Sequence, residues 1–441
     1  MGFRLLEEAL IWLEAHVDFE RVAPNRQSLP SLDPVRDVLA SLGDPHHDYP
    51  TVHVTGTNGK GTTTVLTSAL LAATGLRVGT FTSPDLHAVN ERIVVAGTAI
   101  DDEQFLAVLS RLADVETVTG VVLTRFELLT VGAFLHFSDE GVDVAVVEVG
   151  LGGTWDSTNV IDGIVTVLTN VDLDHVAVLG TTIEAIASDK VGIFRAGADA
   201  VLGTTNPVVV AIATAKCSSL GATLYRAGEG FELLRNDVAV GGRLLSITTP
   251  FATYEDVLLT LHGIHQGENA ATALTAAELF LGRALGETVV RRSLGSSVMA
   301  GRLELLSRHP MIIVDGAHNP AGVRALAAAL DGAFHVNGVR RCVLGMLNGR
   351  EVDDMVSPLI DAGVSEFYCC APQSPRAMPV TDVVDAVRRR GATAFEFSSG
   401  ALALAHAREH SNEDDLIICA GSLYLVAELR AIVLRLETHL H

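Results

Sequence analysis

Thr51-Val52-His53-Val54-Thr55-Gly56-Thr57-Asn58-Gly59-Lys60-Gly61-Thr62 decides how this chain is read. An apolar run turns through three glycines around one lysine and feeds a small-residue helical pattern that continues to Ala73. Glycines let backbone N–H groups approach an anion, the N-terminus of the following helix adds positive potential, and Lys60 supplies a mobile charge. Thr57, Asn58, Gly59, Lys60, Gly61 and Thr62 are therefore the expected phosphate cradle. The stretch departs from G-x-x-x-x-G-K-[ST], because Val54 stands at the first glycine position and Gly61 separates Lys60 from Thr62. The G-x-G-x-x-G spacing of dinucleotide-binding folds is absent, which argues against a nicotinamide-dependent oxidoreductase.

Working outward, short β-rich apolar runs alternate with helical patterns, the signature of doubly wound α/β sheets. Strands are expected near 51–54, 78–81, 144–148, 164–169 and 200–202, with helices over 61–73, 126–140 and 182–188. Val238-Ala239-Val240, Gly241-Gly242 and Arg243 to Ile247 read as a hairpin turning on Gly-Gly, a small antiparallel addition before a helix over 269–281. A second α/β rhythm follows Met299, with strands at 312–314, 342–344, 366–370 and 416–419 and helices over 321–330, 380–390, 401–410 and 423–436. The expected fold is α/β with two doubly wound domains. Residues 1–297 form a P-loop ATPase-like domain of mostly parallel sheet, and 298–441 a Rossmann-like domain, with a cleft between them as the expected place for a ligand.

Composition bounds the function. Of 441 residues, 48% are hydrophobic and 19% charged, so the chain can bury large cores and is not disordered. A formal charge of −22 argues against nucleic-acid binding, which needs a basic face. Cys217, Cys342, Cys369, Cys370 and Cys419 show no metal or redox spacing, and four lie in apolar, strand-like runs as small hydrophobes. The amphipathic start with Glu7, Glu8 and Glu14 is unlike a signal peptide, and no apolar run reaches transmembrane length. A cytoplasmic protein without membrane partners is expected.

Three further blocks carry chemistry. Glu148, in Val146-Val147-Glu148-Val149-Gly150-Leu151-Gly152-Gly153, ends a buried strand at the sheet edge where α/β ligands bind, and Mg²⁺ uses one or two such carboxylates. His175, in Thr169-Asn170-Val171-Asp172-Leu173-Asp174-His175, follows another strand and offers an imidazole. Asp315 and His318, in Val314-Asp315-Gly316-Ala317-His318-Asn319-Pro320, open the second domain's first helix, where Asn319 is also a simple capping residue. Lys190, taken alone, reads as an ordinary solvated lysine at a helix end.

Together these motifs resemble the Mur ligase superfamily, and within it the folate branch of folylpolyglutamate synthase and bifunctional dihydrofolate synthase. The resemblance spans nearly the whole chain. Besides the blocks above it rests on Thr82-Ser83-Pro84 with Asn90-Glu91-Arg92-Ile93, Phe126 to Thr130, Asp156 to Asn159, Asp189 to Ile193, His265-Gln266 with Asn269, Gly301 to Glu304 and Gly421 to Tyr424. It implies an ATP-dependent, ADP-forming ligase that phosphorylates a carboxylate and couples it to L-glutamate through an acyl phosphate. The implied acceptor is tetrahydrofolate, with dihydropteroate a second candidate. It further implies that Lys60 and the loop amides hold the ATP phosphates, that Ser83, Glu148 and His175 ligate Mg²⁺, and that Lys190 is the family's carbamylated lysine. Asn269, Arg302 and Asp315 match nucleotide contacts, and His318 a residue near the γ-phosphate and the incoming glutamate. Asp85, Thr154-Trp155 and Arg350 depart from the family's usual His, Arg and Lys.

A cell-wall Mur ligase shares the ATP machinery, but about fifty residues before the loop are few for its extra N-terminal domain. A non-catalytic nucleotide-binding protein would be expected to lack a metal or phosphate residue. The protein is expected to act as a monomer on small molecules.

Overall fold

Every residue of β1 (Thr51–Thr55), β2 (Val78–Phe81) and β5 (Val144–Glu148) is buried, the pattern of strands covered on both faces of a parallel sheet. The computed structural model describes residues 2–19, 31–334, 336–349 and 351–438. The chain divides into two units: Met1–Asn236 with Leu245–Leu258 and Gly267–Ser297, and Asp237–Leu244 with Leu259–Gln266 and Val298–His441.

In the first unit, β1, β2 and β5 join β3 (Ile93–Val95), β4 (Thr98–Ala99), β6 (Gly163–Leu168), β7 (Asp199–Leu202) and β8 (Thr223–Arg226). The order is β4-β3-β2-β5-β1-β6-β7-β8. Pairing is parallel from β2 to β8, and only β2–β3 and β3–β4 are antiparallel. The ends of β1, β5 and β6 thus lie side by side, with Val54 registered to Glu148 and Thr55 to Leu168. The helix Lys60–Ala72 packs back against β1, β2 and β5. One core sets Leu6–Glu14, Asp33–Ser41, Asp102–Thr119 and Arg125–Asp139 against β2, β3 and β5, and another sets Ile183–Lys190 and Pro207–Leu220 against β6 and β7. Burial of each large apolar side chain here is worth roughly 2–3 kcal/mol.

A three-stranded sheet, β9 (Glu232–Ala239), β10 (Gly242–Thr248) and β11 (Thr253–Leu259), is the anticipated small addition. Its first turn is Val240–Gly241 rather than Gly241–Gly242. The left-handed φ of +80° falls on Gly241, while Gly242 already belongs to β10. The following helix, Ile264–Leu281, starts five residues before the expected Asn269.

The second unit carries β12 (Glu304–Arg308), β13 (Met311–Val314), β14 (Arg340–Leu344), β15 (Val364–Cys369), β16 (Thr393–Glu396) and β17 (Leu416–Ala420), ordered β12-β13-β17-β14-β15-β16. All neighbours are parallel except β12–β13. Cys342, Cys369 and Cys419 sit on three of these strands, and all five cysteines are buried and free, in keeping with their reading as small hydrophobes. The helix Val352–Asp361 was not anticipated, because Pro358 within it reads as a breaker.

At the foot of this sheet Arg341 donates from Nη1 to Asp415 (2.7 Å) and from Nε to Glu366 (2.8 Å). Asp415, 1% exposed, also accepts from the amides of Val339 (2.7 Å) and Asn412 (2.9 Å). Burial alone would raise its pKa, but these donors hold it below the usual carboxylate value. A depressed folded pKa stabilises the fold above about pH 4 and the contribution is lost as pH falls through that folded value. Asp415→Ala should destabilise the unit by about 3–5 kcal/mol at pH 7, because it removes one of the two carboxylates paired with a buried guanidinium and leaves the amides of Val339 and Asn412 without their acceptor. Hydrogen exchange in β13 and β17 should accelerate accordingly, with the difference from the parent shrinking in acid. Unchanged exchange at pH 7 would contradict this account.

Candidate active site

The phosphate loop is held from beneath by the residues after β6. The amide of Thr57 donates to the carbonyl of Asn170 (2.9 Å), and that of Asn58 to the Asn170 side-chain oxygen (2.9 Å). Thr57 and Asp172 exchange hydrogen bonds, and Thr169 Oγ1 donates to the carbonyl of Asn58 (2.7 Å). Two glycines make the packing possible. A Cβ on Gly56 would stand 1.8 Å from Thr169 Oγ1, and one on Gly59 2.3 Å from Asn269 Oδ1. Gly59 also has φ +82°, the left-handed conformation in which a side chain is strained, immediately before the helix that begins at Lys60.

Glu148, 3% exposed, stands at the mouth of this loop. Its Oε2 accepts from the amide of Ser83 (3.0 Å) and lies 3.4 Å from where a Cβ on Gly61 would be. Ser83, Gly61 and Glu148 are thereby brought together, and Asn269 is brought to Gly59. Lys60 Nζ donates back to the carbonyl of Thr57 (3.2 Å).

Lys190 is not the solvated lysine that it suggests in isolation. It is 3% exposed, and Nζ donates to the carbonyl of Gly56 (2.7 Å). Burial first, and the positive charge of Lys60 second, lower its pKa to about 7 against the opposing pull of Asp189, Asp174 and Asp156. His175, with φ +48°, is half exposed; its amide donates to Asp174 Oδ1 (2.7 Å), and its Nε2 lies 3.8 Å from the same oxygen. Thus Lys60 and Lys190 share one electrostatic environment, and His175 joins it through Asp174.

The second unit's candidates form their own cluster. Asp315, at the end of β13, accepts from the amides of Leu303 (2.7 Å) and Ala317 (2.8 Å). Burial raises its pKa, and neighbouring Arg302 opposes the rise. Gly316 leaves no room for a side chain, because its Cβ would meet Leu423 at 2.4 Å and Arg302 Nη1 at 2.7 Å. His318 Nδ1 lies 2.8 Å from the carbonyl of Gly316; a carbonyl only accepts, so Nδ1 carries a proton. Asn319 caps the helix Pro320–Gly332 through Gly322, as its simpler reading holds.

Residues 54–277 match the Mur ligase middle domain and 301–423 the Mur ligase glutamate ligase domain. A dihydrofolate synthase/folylpolyglutamate synthase of Mycobacterium tuberculosis is 37% identical over 381 residues, covering 81% of this chain and 77% of that protein. The chain belongs to the folylpolyglutamate synthase/dihydrofolate synthase family of Mur ligases. The solved folylpolyglutamate synthase of the same organism, complexed with ADP, superposes with a TM-score of 0.88 at 31% identity, covering 97% of this chain and 98% of that one. The bifunctional enzyme of Yersinia pestis, complexed with AMPPNP and Mn, gives 0.85 at 28% identity with coverage of 97% and 98%.

Two departures from the usual pattern of this synthase family have local explanations. Asp85 pairs with Arg92, itself 2% exposed, at 2.5 Å. Burial would raise the pKa of Asp85, but Arg92 and then Arg125 bring it below the ordinary value. Thr154, in the turn that follows Glu148, packs on the end of Lys190's helix, donating from N and Oγ1 to the carbonyl of Asp189 (3.2 and 2.9 Å). Arg350 lies outside the described residues.

The structure adds supporting residues to which no role was given from sequence. Asp156, fully enclosed, accepts from the amides of Leu151 (2.9 Å) and Thr158 (3.0 Å) and holds the glycine turn after Glu148. Asp189 adjoins the same turn: a Cβ on Gly152 would stand 2.3 Å from its Oδ2. Their only sequence signal was membership of blocks whose individual contacts spacing cannot reveal.

The lowered pKa of Lys190 predicts a signature in stability. Between about pH 7 and about pH 10 the unfolded chain binds this proton and the folded chain does not, so stability should rise with pH across that window. Lys190→Met should flatten the rise by a few kcal/mol in bicarbonate-free buffer, measured by denaturant melts. Parallel pH profiles for parent and variant would contradict a deprotonated, buried Lys190.

Proposed function

We propose that the protein is an ATP-dependent, ADP-forming ligase that adds L-glutamate to tetrahydrofolate, with dihydropteroate a second acceptor. The observation that carries this is the pairing of a glycine-built anion cradle with an acidic mouth. Gly56 and Gly59 let the loop close on Thr169 and Asn269, and Glu148 stands within van der Waals reach of Gly61. A hard carboxylate oxygen beside a phosphate cradle fits Mg²⁺–ATP, because Mg²⁺ takes few protein ligands and completes its shell with phosphate and water. When bound, Mg²⁺ offsets the repulsion between the triphosphate and the acceptor carboxylate.

Within this reading, the loop amides and Lys60 hold and orient the phosphates, and Ser83, Glu148 and His175 hold the metal. Lys190 can change sign. A buried amine whose pKa is near 7 is nucleophilic at neutral pH, so it can add to CO₂ and, on releasing one N–H proton to solvent, become a carbamate, an anion able to support a metal. Asn269, Arg302 and Asp315 are assigned to nucleotide contacts. His318 is assigned to the γ-phosphate and the incoming amino group. Glutamate as the nucleophile is supported by membership of residues 301–423 in the glutamate ligase domain family.

We also infer a cytoplasmic monomer that acts on small molecules and not on nucleic acid. The net charge of −22 supports the absence of a nucleic-acid partner. No helix among the described residues is long and apolar enough to cross a membrane.

ADP release from purified protein with Mg–ATP and glutamate, offering tetrahydrofolate or dihydropteroate separately, tests the assignment. Release should require the acceptor, and absence of release with either, from protein that binds ATP, would refute it. Lys60→Ala should lower kcat by at least about a hundredfold with an unchanged melting temperature. Glu148→Gln should raise the Mg²⁺ concentration needed for half-maximal rate by about tenfold.

A further inference from the structure

At the other end of β1 from the phosphate loop, Gly43-Asp44-Pro45-His46-His47-Asp48 forms the turn into the strand. Asp44, His46 and His47 each place one potential ligand atom so that the three lie within 4.8 Å of one another. His46 is 94% buried, in that its exposure is 6%, yet its Nδ1 has no hydrogen-bond partner among the described residues. Nδ1 of His53, His262 and His406 is unmet as well, but among the described residues only at His46 do two further ligand groups stand beside the ring, where metal coordination would satisfy it without moving the core. Its burial keeps the ring from turning outward easily; it lies tilted against that of His47 (centroids 3.9 Å apart) and 6.2 Å from that of Phe134.

We infer that Asp44, His46 and His47 form a second cation site, selective for a borderline divalent transition metal such as Zn²⁺, outside the nucleotide site. Two imidazoles and one carboxylate suit Zn²⁺ or Co²⁺ and not Mg²⁺, which prefers oxygen. Tetrahedral ligands about 2.1 Å from a metal stand ~3.4 Å apart, so the set must contract. Asp44 and His47, less buried than His46, would make that contraction by closing on it. Asp48 and Asp162 lie close enough to act on His46 and add negative potential. Burial is the main cause that lowers the pKa of His46 to about 4, which keeps the ring neutral as a ligand must be. Five residues of β1, ~17 Å of strand, separate this turn from the phosphate loop, so one ion cannot serve both. The site would clamp the segment between helix Asp33–Ser41 and the central strand.

Co²⁺ titration of the full chain, saturated with Mg²⁺ and ADP to fill the nucleotide site, tests this. The parent should bind one more Co²⁺ than His47→Ala, with the visible d–d bands of four-coordinate Co²⁺ and a rise in melting temperature on Zn²⁺ addition. Asp44→Asn, which keeps a residue tolerant of the left-handed φ of +57°, should weaken Co²⁺ at least tenfold while leaving the apo melting temperature unchanged. Equal stoichiometry and spectra for parent and both variants would overturn the assignment. ADP-forming turnover is independent of this outcome.

Discussion

A single buried amine organises the first unit's chemistry. Lys190 places its Nζ on the carbonyl of Gly56, from a helix that follows β6, and so pins the first bend of the phosphate loop to a segment 134 residues away. That hydrogen bond sits in surroundings of low polarity, where an unmet donor or acceptor is expensive and a met one is strong. The loop bends at Gly56, and Asp189, the residue before Lys190, closes on the glycine turn after Glu148. Burial first, and the charge of Lys60 second, lower the pKa of Lys190.

The remaining architecture supplies the rigid frame for that contact. Parallel register puts the C-terminal ends of β1, β5 and β6 side by side, and each end carries one segment to which a role is proposed: the glycine loop, Glu148, and Thr169 to His175. Asp156 fixes the turn after Glu148 much as Asn170 fixes the phosphate loop, by accepting from backbone amides that would otherwise point at solvent or ligand. In the second unit Asp315 does the same for the turns at Leu303 and Ala317. Carboxylates and amides that brace backbone are what is expected where geometry has to be set before binding.

Much of the fold was legible because long-period signals survive tertiary context. Strands such as Val144–Glu148 and helices such as Arg125–Asp139 follow from apolar runs and period, and they lie within a residue of where pattern reading put them. Element edges were less legible. The turn after β9 slid by one residue because Val240, 99% exposed, takes a turn position that composition assigns to glycine. The helix Ile264–Leu281 begins early because its first turn holds Gly267, a residue that reads as a breaker but is needed where a Cβ would meet Asn236 at 2.6 Å. The helix containing Pro358 was hidden for the same reason.

The sequence by itself determined the chemistry's parts list: a glycine loop with one lysine, a strand-end glutamate, two loop histidines, and family blocks in a fixed order. Those are local facts, since glycine spacing, helix starts and strand ends depend on a few neighbouring residues. Only the tertiary structure decided which charges meet. That Lys190 is buried, that Asp85 neutralises Arg92, and that His46 carries an unmet nitrogen beside Asp44 and His47 all depend on burial and on partners far along the chain or across a packed core. Protonation state and hydrogen-bond partnership are set by the dielectric and geometry that packing creates, and no residue carries that information alone.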